Sequence, residues 1–290
     1  MSTVNWDLFK CRCSAISDLL SNGKEGQQIT ANQETELKRL EDRGDTATDK
    51  QKEEIERLRT LKANKGKIVL GITAIDYLMQ VYSWETEQMI AVGKESLDVM
   101  QLRKGKIGEK EAGMLLNEVD GVEYLQDKNR IFNDFLSGEI DFFLGDGIYK
   151  AKNVTDTKNA FDYPTFLKKI HVGLEPGQKE QLQGYGDITG AGDLVVANCL
   201  VSFTPEMIDD MKWKVIRKLN CATDESPEFR EKWPDFERSM IFERIAPHKR
   251  VHKIKVEPFT EFEKQKIYDR VKFAREWLWK FDAEHENRNK

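Results

Sequence analysis

Apolar positions along the chain follow two different spacings, which indicates a mixture of strands and helices. Continuous or alternating apolar residues predict strands over 131–158, 194–203 and 251–256. Apolar residues at helical spacing predict helices over 14–21, 73–89, 106–118, 177–188, 205–219 and 261–281. This order lacks the regular strand–helix alternation of a doubly wound fold. We therefore expect an α/β (α+β) fold with a small mixed sheet flanked by helices.

A charged segment near the N-terminus contains an internal near-repeat. The pattern TxxQxxELxRL begins at Thr30, and TxxQxxEIxRL begins at Thr48. Each copy opens with a Thr-x-x-Gln capping box and has its apolar residues on one narrow stripe. Arg43-Gly44-Asp45 between the copies is typical of a turn. The pattern predicts an inserted helical-hairpin arm over 27–66, either a solvated projection or a contact with DNA or a neighbouring subunit.

Composition narrows the choice of partners. The chain has 290 residues, 39% of them hydrophobic and 33% charged, and a formal net charge of −5. This net charge excludes a surface that is basic throughout. Any nucleic acid must therefore bind to a local groove that is lined by basic side chains. There is no apolar signal core and no 18-residue apolar run, and the four cysteines lack the spacing of a disulfide framework. We expect a cytoplasmic protein without a membrane partner.

Two aspartates and a lysine form the pattern with the clearest chemistry. Asp141 lies in the apolar run EIDFFLG, and Asp156-Thr157-Lys158 ends the next strand-like run. Asp156 and Lys158 are two residues apart, so on a strand their side chains share a face. Carboxylates on neighbouring strands can hold a divalent cation beside the lysine. Such a group is suited to the hydrolysis of a phosphodiester.

A glutamine and a tyrosine complete a recognisable set of motifs. Gln181 and Tyr185 are four residues apart on a predicted helix and therefore lie on one face. Upstream, Gly105 and Glu109 form a Gly-x-x-x-Glu motif. With the aspartates and Asp-x-Lys, this set resembles the PD-(D/E)XK nuclease superfamily, in particular its branch of RecB-like and phage lambda-type exonucleases. The resemblance covers 105–203, about a third of the chain, and departs from the family where Ile140 replaces a proline.

The resemblance implies a role for each motif residue. The implied metal ligands, which all present oxygen atoms, are Asp141, Asp156, Glu109 and the backbone carbonyl of Thr157. The implied catalytic residues are Lys158, Glu109, Gln181 and Tyr185. The implied cofactor is Mg²⁺ or Mn²⁺, with two ions in each site. A weaker expectation, which comes from the local cluster of basic residues, is DNA binding by Lys62, Lys65 and Lys67.

The resemblance also implies an activity and an organisation. We expect a metal-dependent deoxyribonuclease that digests linear duplex DNA from its ends in phage-type recombination, in the host cytoplasm. A single-strand annealing protein as partner and a ring of three subunits belong to the same expectation. Residues 1–26 would open the nuclease domain, 27–66 would form the arm, and 67–290 would form the core with C-terminal helices. The alternatives are an endonuclease of the same superfamily and a non-catalytic DNA-binding module.

Overall fold

The computed structural model describes residues 4–22, 29–64, 66–89 and 100–288. The helices are α1 (Ile16–Leu19), α2 (Ala31–Glu41), α3 (Asp49–Ala63), α4 (Ile72–Glu87), α5 (Met100–Ile107), α6 (Glu109–Asp120), α7 (Tyr163–Val172), α8 (Gln178–Thr189), α9 (Pro205–Lys218), α10 (Pro227–Arg238) and α11 (Glu261–Arg288). The strands are β1 (Cys11–Arg12), β2 (Leu125–Phe132), β3 (Leu136–Gly145), β4 (Ala151–Asn159), β5 (Asp193–Cys199) and β6 (Val251–Val256).

The chain divides into two units. The first comprises the described residues within Met1–Cys11, Ala15–Ile90 and Phe262–Lys290, and the second those within Arg12–Ser14 and Ala91–Glu261. The first unit therefore contains the helical pair α2–α3, and the second contains strands β2–β6. The boundaries expected at 26 and 66 stay predictions.

The pair α2–α3 forms the hairpin that the near-repeat predicts. Both capping boxes are present. The Thr30 hydroxyl accepts a hydrogen bond from the backbone N–H of Gln33, and the Thr48 hydroxyl accepts one from the backbone N–H of Gln51. The apolar stripes meet in a small core of Ile29, Leu37, Leu40, Leu58 and Leu61. This burial matters because short helices are marginal in water without packing.

The rest of the first unit is held by polar side chains that bond across long stretches of sequence. Arg270 on α11 donates to the carbonyl of Val69 at 2.7 Å. Asp282, on the same helix, accepts from the Trp6 indole at 3.3 Å and from the Tyr82 hydroxyl at 2.8 Å. These bonds satisfy a guanidinium and a carboxylate that are themselves buried.

Strands of the second unit belong to a mixed sheet. Among the described residues the sheet has six strands in the order β1-β3-β4-β5-β6, and β2 also pairs with β3. The β2–β3, β3–β4 and β5–β6 pairs are antiparallel, whereas β4 and β5 run parallel. The parallel pair is possible because α7 and α8 lie between its strands in the chain and provide the crossover.

Two helices cover opposite faces of this sheet. Ala112 and Leu116 of α6 pack in a cluster with Ala197 and Cys199 of β5. A Cβ on Gly186 of α8 would lie 2.9 Å from the side chain of Leu194, which points to the other face of β5 because strand residues alternate. The expected small mixed sheet flanked by helices is confirmed.

Several local predictions need correction. The single helix expected over 106–118 is two helices, α5 and α6, which are separated at Gly108. Residues 148–150 form a 3₁₀ turn where a strand was expected, because they close the turn after Gly147, whose φ is +119°. Helices α7 and α10 were not expected. In the described part of the chain, no helix is long and apolar enough to cross a membrane.

Candidate active site

Asp141 and Asp156 are opposite one another where strands β3 and β4 pair. Phe142 pairs with Thr155 in the antiparallel register, so one further step places Asp141 opposite Asp156. Oδ2 of Asp141 accepts hydrogen bonds from the backbone N–H and from the hydroxyl of Thr157, each at 2.8 Å. The structure therefore brings the predicted carboxylates together and fixes the orientation of Asp141.

Asp156 is a buried carboxylate with an incompletely satisfied oxygen. It is 3% exposed, and its Oδ2 lies 2.8 Å from Nζ of Lys158. Apart from this ion pair, Oδ2 has no hydrogen-bond partner among the described residues. A buried oxygen with an unmade bond is costly, and it is a natural position for a cation.

Burial and charge together set the protonation of this pair. Burial raises the pKa of Asp156 to about 6, the Lys158 ammonium opposes that rise, and the charges of Asp141 and Glu109 add to it. Burial lowers the pKa of Lys158, but the direct contact with Asp156 and the charges of Asp156, Asp141 and Glu175 together outweigh burial and leave that pKa above its ordinary value. Lys158 is therefore a stable ammonium beside a crowded group of carboxylates.

Glu109 begins helix α6 and is the third carboxylate of the predicted set. Its Oε1 accepts a hydrogen bond from Gln126 at 2.6 Å and another from Lys128, both on β2. Its charge is near enough to Asp156 to raise the pKa of that residue. Sequence patterns did not identify Gln126 or Lys128, because β2 is exposed at most positions and lacks a clear alternation.

Gln181 and Tyr185 form a bonded pair on α8. Gln181 Nε2 donates to the Tyr185 hydroxyl at 2.8 Å, as their shared helical face predicts. Tyr185 is 5% exposed; burial raises its pKa, and the charge of Asp156 raises it further. The hydroxyl consequently stays protonated at neutral pH. Because Asp156 influences Tyr185 electrostatically, this pair belongs to the same site.

A glycine on β3 makes room for the tyrosine ring. A Cβ built on Gly138 would lie 2.4 Å from Cε1 of Tyr185, much closer than carbon atoms approach. Gly138 is only three residues before Asp141 in the chain. Only a residue without a side chain allows this close approach of strand and ring.

The loop between α7 and α8 adds a carboxylate that the motifs did not indicate. The charge of Glu175 contributes to the raised pKa of Lys158. Glu175 is held by Lys169, which donates to its carboxylate, and by Gln178, whose Oε1 accepts from the Glu175 amide at 2.9 Å. The Pro-Gly sequence that follows Glu175 predicts a loop, but it gives no sign of the direction in which the carboxylate points.

The donor set is compatible with a hard divalent cation. Among the residues that the structure describes, no three His, Cys, Asp or Glu side chains are grouped closely enough to hold a metal by themselves. The three carboxylates of the expected set, Asp141, Asp156 and Glu109, are therefore not grouped in that way, and Glu109 here bonds to Lys128. The expected donors, which include the Thr157 carbonyl, are all oxygens, as Mg²⁺ and Mn²⁺ prefer, and among the described residues Asp156 Oδ2 has no hydrogen-bond partner beyond its ion pair with Lys158. The metal-ligand roles stay predictions.

The basic cluster expected to contact DNA belongs to the first unit. Lys62 lies in the last turn of α3, and Lys67 follows that helix. Lys65 lies outside the described residues. Their contact with DNA stays a prediction.

Comparisons with known proteins show similarity at the level of structure. No protein-family model matches the chain, and no curated protein sequence matches it. A phage-related exonuclease from Haemophilus somnus 129PT is similar with a TM-score of 0.56 and 16% identity, over 96% of each chain. The alkaline exonuclease LHK-Exo from Laribacter hongkongensis is similar with a TM-score of 0.51 and 11% identity, over 98% of this chain and 96% of that one.

A second structure of LHK-Exo, in complex with dAMP, is similar with a TM-score of 0.50 and 10% identity, over 98% of this chain and 94% of that one. In all three cases the alignment extends over nearly the whole of both chains. The protein therefore has the overall fold of these phage-related and alkaline exonucleases.

Proposed function

We propose that this protein is a metal-dependent DNA exonuclease of the PD-(D/E)XK superfamily, which hydrolyses phosphodiester bonds from the ends of linear DNA. The observation that carries the proposal is the group of Asp141, Asp156 and Lys158, in which the buried Asp156 Oδ2 pairs with an ammonium and has no further hydrogen-bond partner among the described residues. This arrangement is costly for folding, and strain of this kind is common at functional sites.

The similar structures support the choice of substrate. Proteins with the same fold are named as exonucleases, and one of them was solved with dAMP. A nucleoside monophosphate is the product expected when a nuclease releases single nucleotides from a DNA end. For this chain we propose DNA as the substrate on that basis.

The residues of the site have separable tasks in the proposed reaction. Asp141, Asp156, the Thr157 carbonyl and Glu109 would hold Mg²⁺ or Mn²⁺, with two ions as the expected number. When bound, such an ion lowers the pKa of a water molecule and neutralises charge on the phosphate.

Lys158 remains protonated beside Asp156, so its ammonium can stabilise the negative charge that develops on the phosphate. Tyr185 lies close enough to Asp156 to respond to its charge and is itself fixed by Gln181. We infer that this pair limits the movement of the Asp156 and Lys158 side chains. Gln181 and Tyr185 would thus act by positioning.

The test is a digestion of duplex DNA labelled separately at each end. We expect shortening of linear DNA with Mg²⁺, none with EDTA, and no cutting of closed circular DNA. Lys158→Ala should reduce the rate about 10²-fold or more, because it removes a charge aimed at the phosphate. Lys152→Ala is the matched control, since Lys152 is an exposed lysine on the same strand. It should retain the rate of the wild type.

Each other result has a distinct meaning. Magnesium-dependent cutting of closed circles would replace the exonuclease with an endonuclease. Failure to cut linear and circular DNA with either metal would contradict an enzymatic role and leave a DNA-binding module. Equal rates for Lys158→Ala and Lys152→Ala would remove Lys158 from the mechanism.

A further inference from the structure

Lys104 on α5 is a buried lysine that none of the motifs includes. It is 1% exposed, and its Nζ donates hydrogen bonds to the carbonyls of Ala160 at 2.9 Å and Phe161 at 2.7 Å. The ammonium also faces the rings of Phe203 and Phe242, at 4.3 and 5.2 Å from their centroids. Lysine is almost never fully buried unless it is paired.

Charge pairing does not explain this position. Within the described chain no carboxylate forms an ion pair with Lys104. Burial lowers its pKa to about 7, and the charge of Asp162 opposes this only in part. A neutral amine still has two N–H donors, so both carbonyl bonds can persist whether or not the group is charged. The structure therefore uses Lys104 mainly as a hydrogen-bonding anchor.

The anchor joins the end of α5 to the end of β4. Ala160 and Phe161 directly follow β4, which contains Asp156 and Lys158. Next to them, Asn159 Nδ2 donates to the carbonyl of Gly105 at 3.2 Å. The last residue of β4, Asn159, and the two residues that follow it thus contact Lys104 and Gly105 in a single turn of α5.

The break between α5 and α6, at Gly108, is also closely packed. A Cβ on Gly108 would lie 2.9 Å from the Lys104 carbonyl oxygen and 2.9 Å from the Val201 side chain. The Gly108 amide donates to that same carbonyl at 2.9 Å. Glu109 is the next residue, and the charge of its carboxylate acts on Asp156. The orientation of the first turn of α6 is therefore set by the junction that Lys104 anchors.

We propose that Lys104 is a positioning residue that fixes the carboxylate of Glu109 near Asp156. The apolar side chains of α6 hold that helix on the sheet further along, at Ala112, Leu115 and Leu116. These contacts leave the direction of the first residue to the junction before it and to the bonds that Gln126 and Lys128 donate to the Glu109 carboxylate. This inference rests on the proposed function in so far as Glu109 acts in metal binding.

The test compares Lys104→Met with Lys106→Met. Methionine keeps the apolar stem inside the aromatic cage and removes the N–H donors, whereas Lys106 is an exposed lysine on the same helix. Mn²⁺ binding by the folded protein, measured by titration calorimetry, should weaken about 10-fold or more in Lys104→Met, as is typical when a group that orients a metal ligand is lost. Lys106→Met should bind Mn²⁺ as the wild type does.

Hydrogen exchange provides a readout that is independent of the metal. The amides of Gly108 and Ala112, which bond to the Lys104 and Gly108 carbonyls, should exchange faster in Lys104→Met than in Lys106→Met. If Lys104→Met does not fold, Asn159→Leu loosens the same junction and leaves the buried amine in place. The same weakening of Mn²⁺ binding and the same faster exchange are then expected.

The outcomes separate the two proposals. A folded Lys104→Met with the Mn²⁺ affinity and the amide exchange of the wild type overturns the positioning role. A wild type that neither binds Mn²⁺ nor cuts DNA overturns the proposed function instead. In that case the exchange at Gly108 and Ala112 still decides whether Lys104 fixes the junction: unchanged exchange overturns the inference, and faster exchange supports it.

Discussion

At the scale of single residues, the candidate site depends on a glycine, Gly138, as well as on charged side chains. Gly138→Ala would place a methyl group 2.4 Å from Cε1 of Tyr185, so either the strand or the ring must move. We expect a loss of about 1–3 kcal/mol in the free energy of unfolding, because overpacking a buried site costs about that much. We also expect the proposed nuclease activity to fall, since the charge of Asp156 reaches Tyr185. Denaturant unfolding and the digestion assay measure the two effects.

A double-mutant cycle identifies the cause of this loss. In a Tyr185→Leu background the ring is absent, so Gly138→Ala should cost much less there than in the wild type. If the cost is the same in both backgrounds, the ring contact does not explain it. Strand propensity at position 138 would then be the cause.

The sequence reveals the charged residues of the site better than their surroundings. Asp141, Asp156 and Lys158 could be identified because strand alternation and motif spacing are local properties. Lys128 and Glu175 could not, because their contacts with the site depend on an exposed strand and on a loop whose side-chain directions no periodicity specifies. Long-range contacts of this kind require the folded arrangement.

At the scale of elements, the hairpin arm offers two nearly identical helix starts. Thr30 and Thr48 each accept a bond from the amide three residues later, at 3.3 and 3.4 Å. Thr30→Ala and Thr48→Ala should each destabilise the first turn of the helix by about 1 kcal/mol, because each leaves a helix-end N–H without its acceptor. Hydrogen exchange of the Gln33 and Gln51 amides should accelerate about fivefold in the respective variant.

Thr35→Ala is the control for the cap substitutions. The Thr35 hydroxyl lies inside α2 and donates back to the Ala31 carbonyl at 3.1 Å, so it caps no free amide. Such back-bonding slightly disfavours a helix, and its removal should leave exchange unchanged or slow it slightly. Equal acceleration in Thr35→Ala and Thr30→Ala would show that loss of any threonine, not loss of a cap, loosens the helix.

Elements with strong local signals were predicted better than elements that depend on their neighbours. The strand over 251–256 and the helix beginning after Gly177 agree with the structure because alternation and helical spacing are clear there. The break at Gly108 was missed, since a glycine within an amphipathic pattern also fits a continuous helix. Helix α7 was also missed, although Asp162 caps it and Pro164 lies in its first turn.

At the scale of the whole molecule, the net charge of −5 opposes binding to DNA. Binding must therefore come from local groups of cations, whose number is measurable from the salt dependence of the affinity. For duplex DNA, the slope of log K against log salt is about −0.9 for each phosphate neutralised. Changing one lysine alters the net charge equally wherever it lies. It changes the slope only if that lysine contacts a phosphate.

This distinction tests the basic cluster that the sequence singled out in the first unit. Lys62 and Lys52 are exposed lysines on the same helix, α3, and only Lys62 belongs to that cluster. In a Lys158→Ala background that leaves DNA intact, Lys62→Met should lower the magnitude of the slope by about 0.9, whereas Lys52→Met should not change it. The measurement is fluorescence anisotropy with labelled duplex at several salt concentrations. Identical slopes for the two variants would exclude Lys62 from the DNA interface, because general charge would then account for any change in affinity.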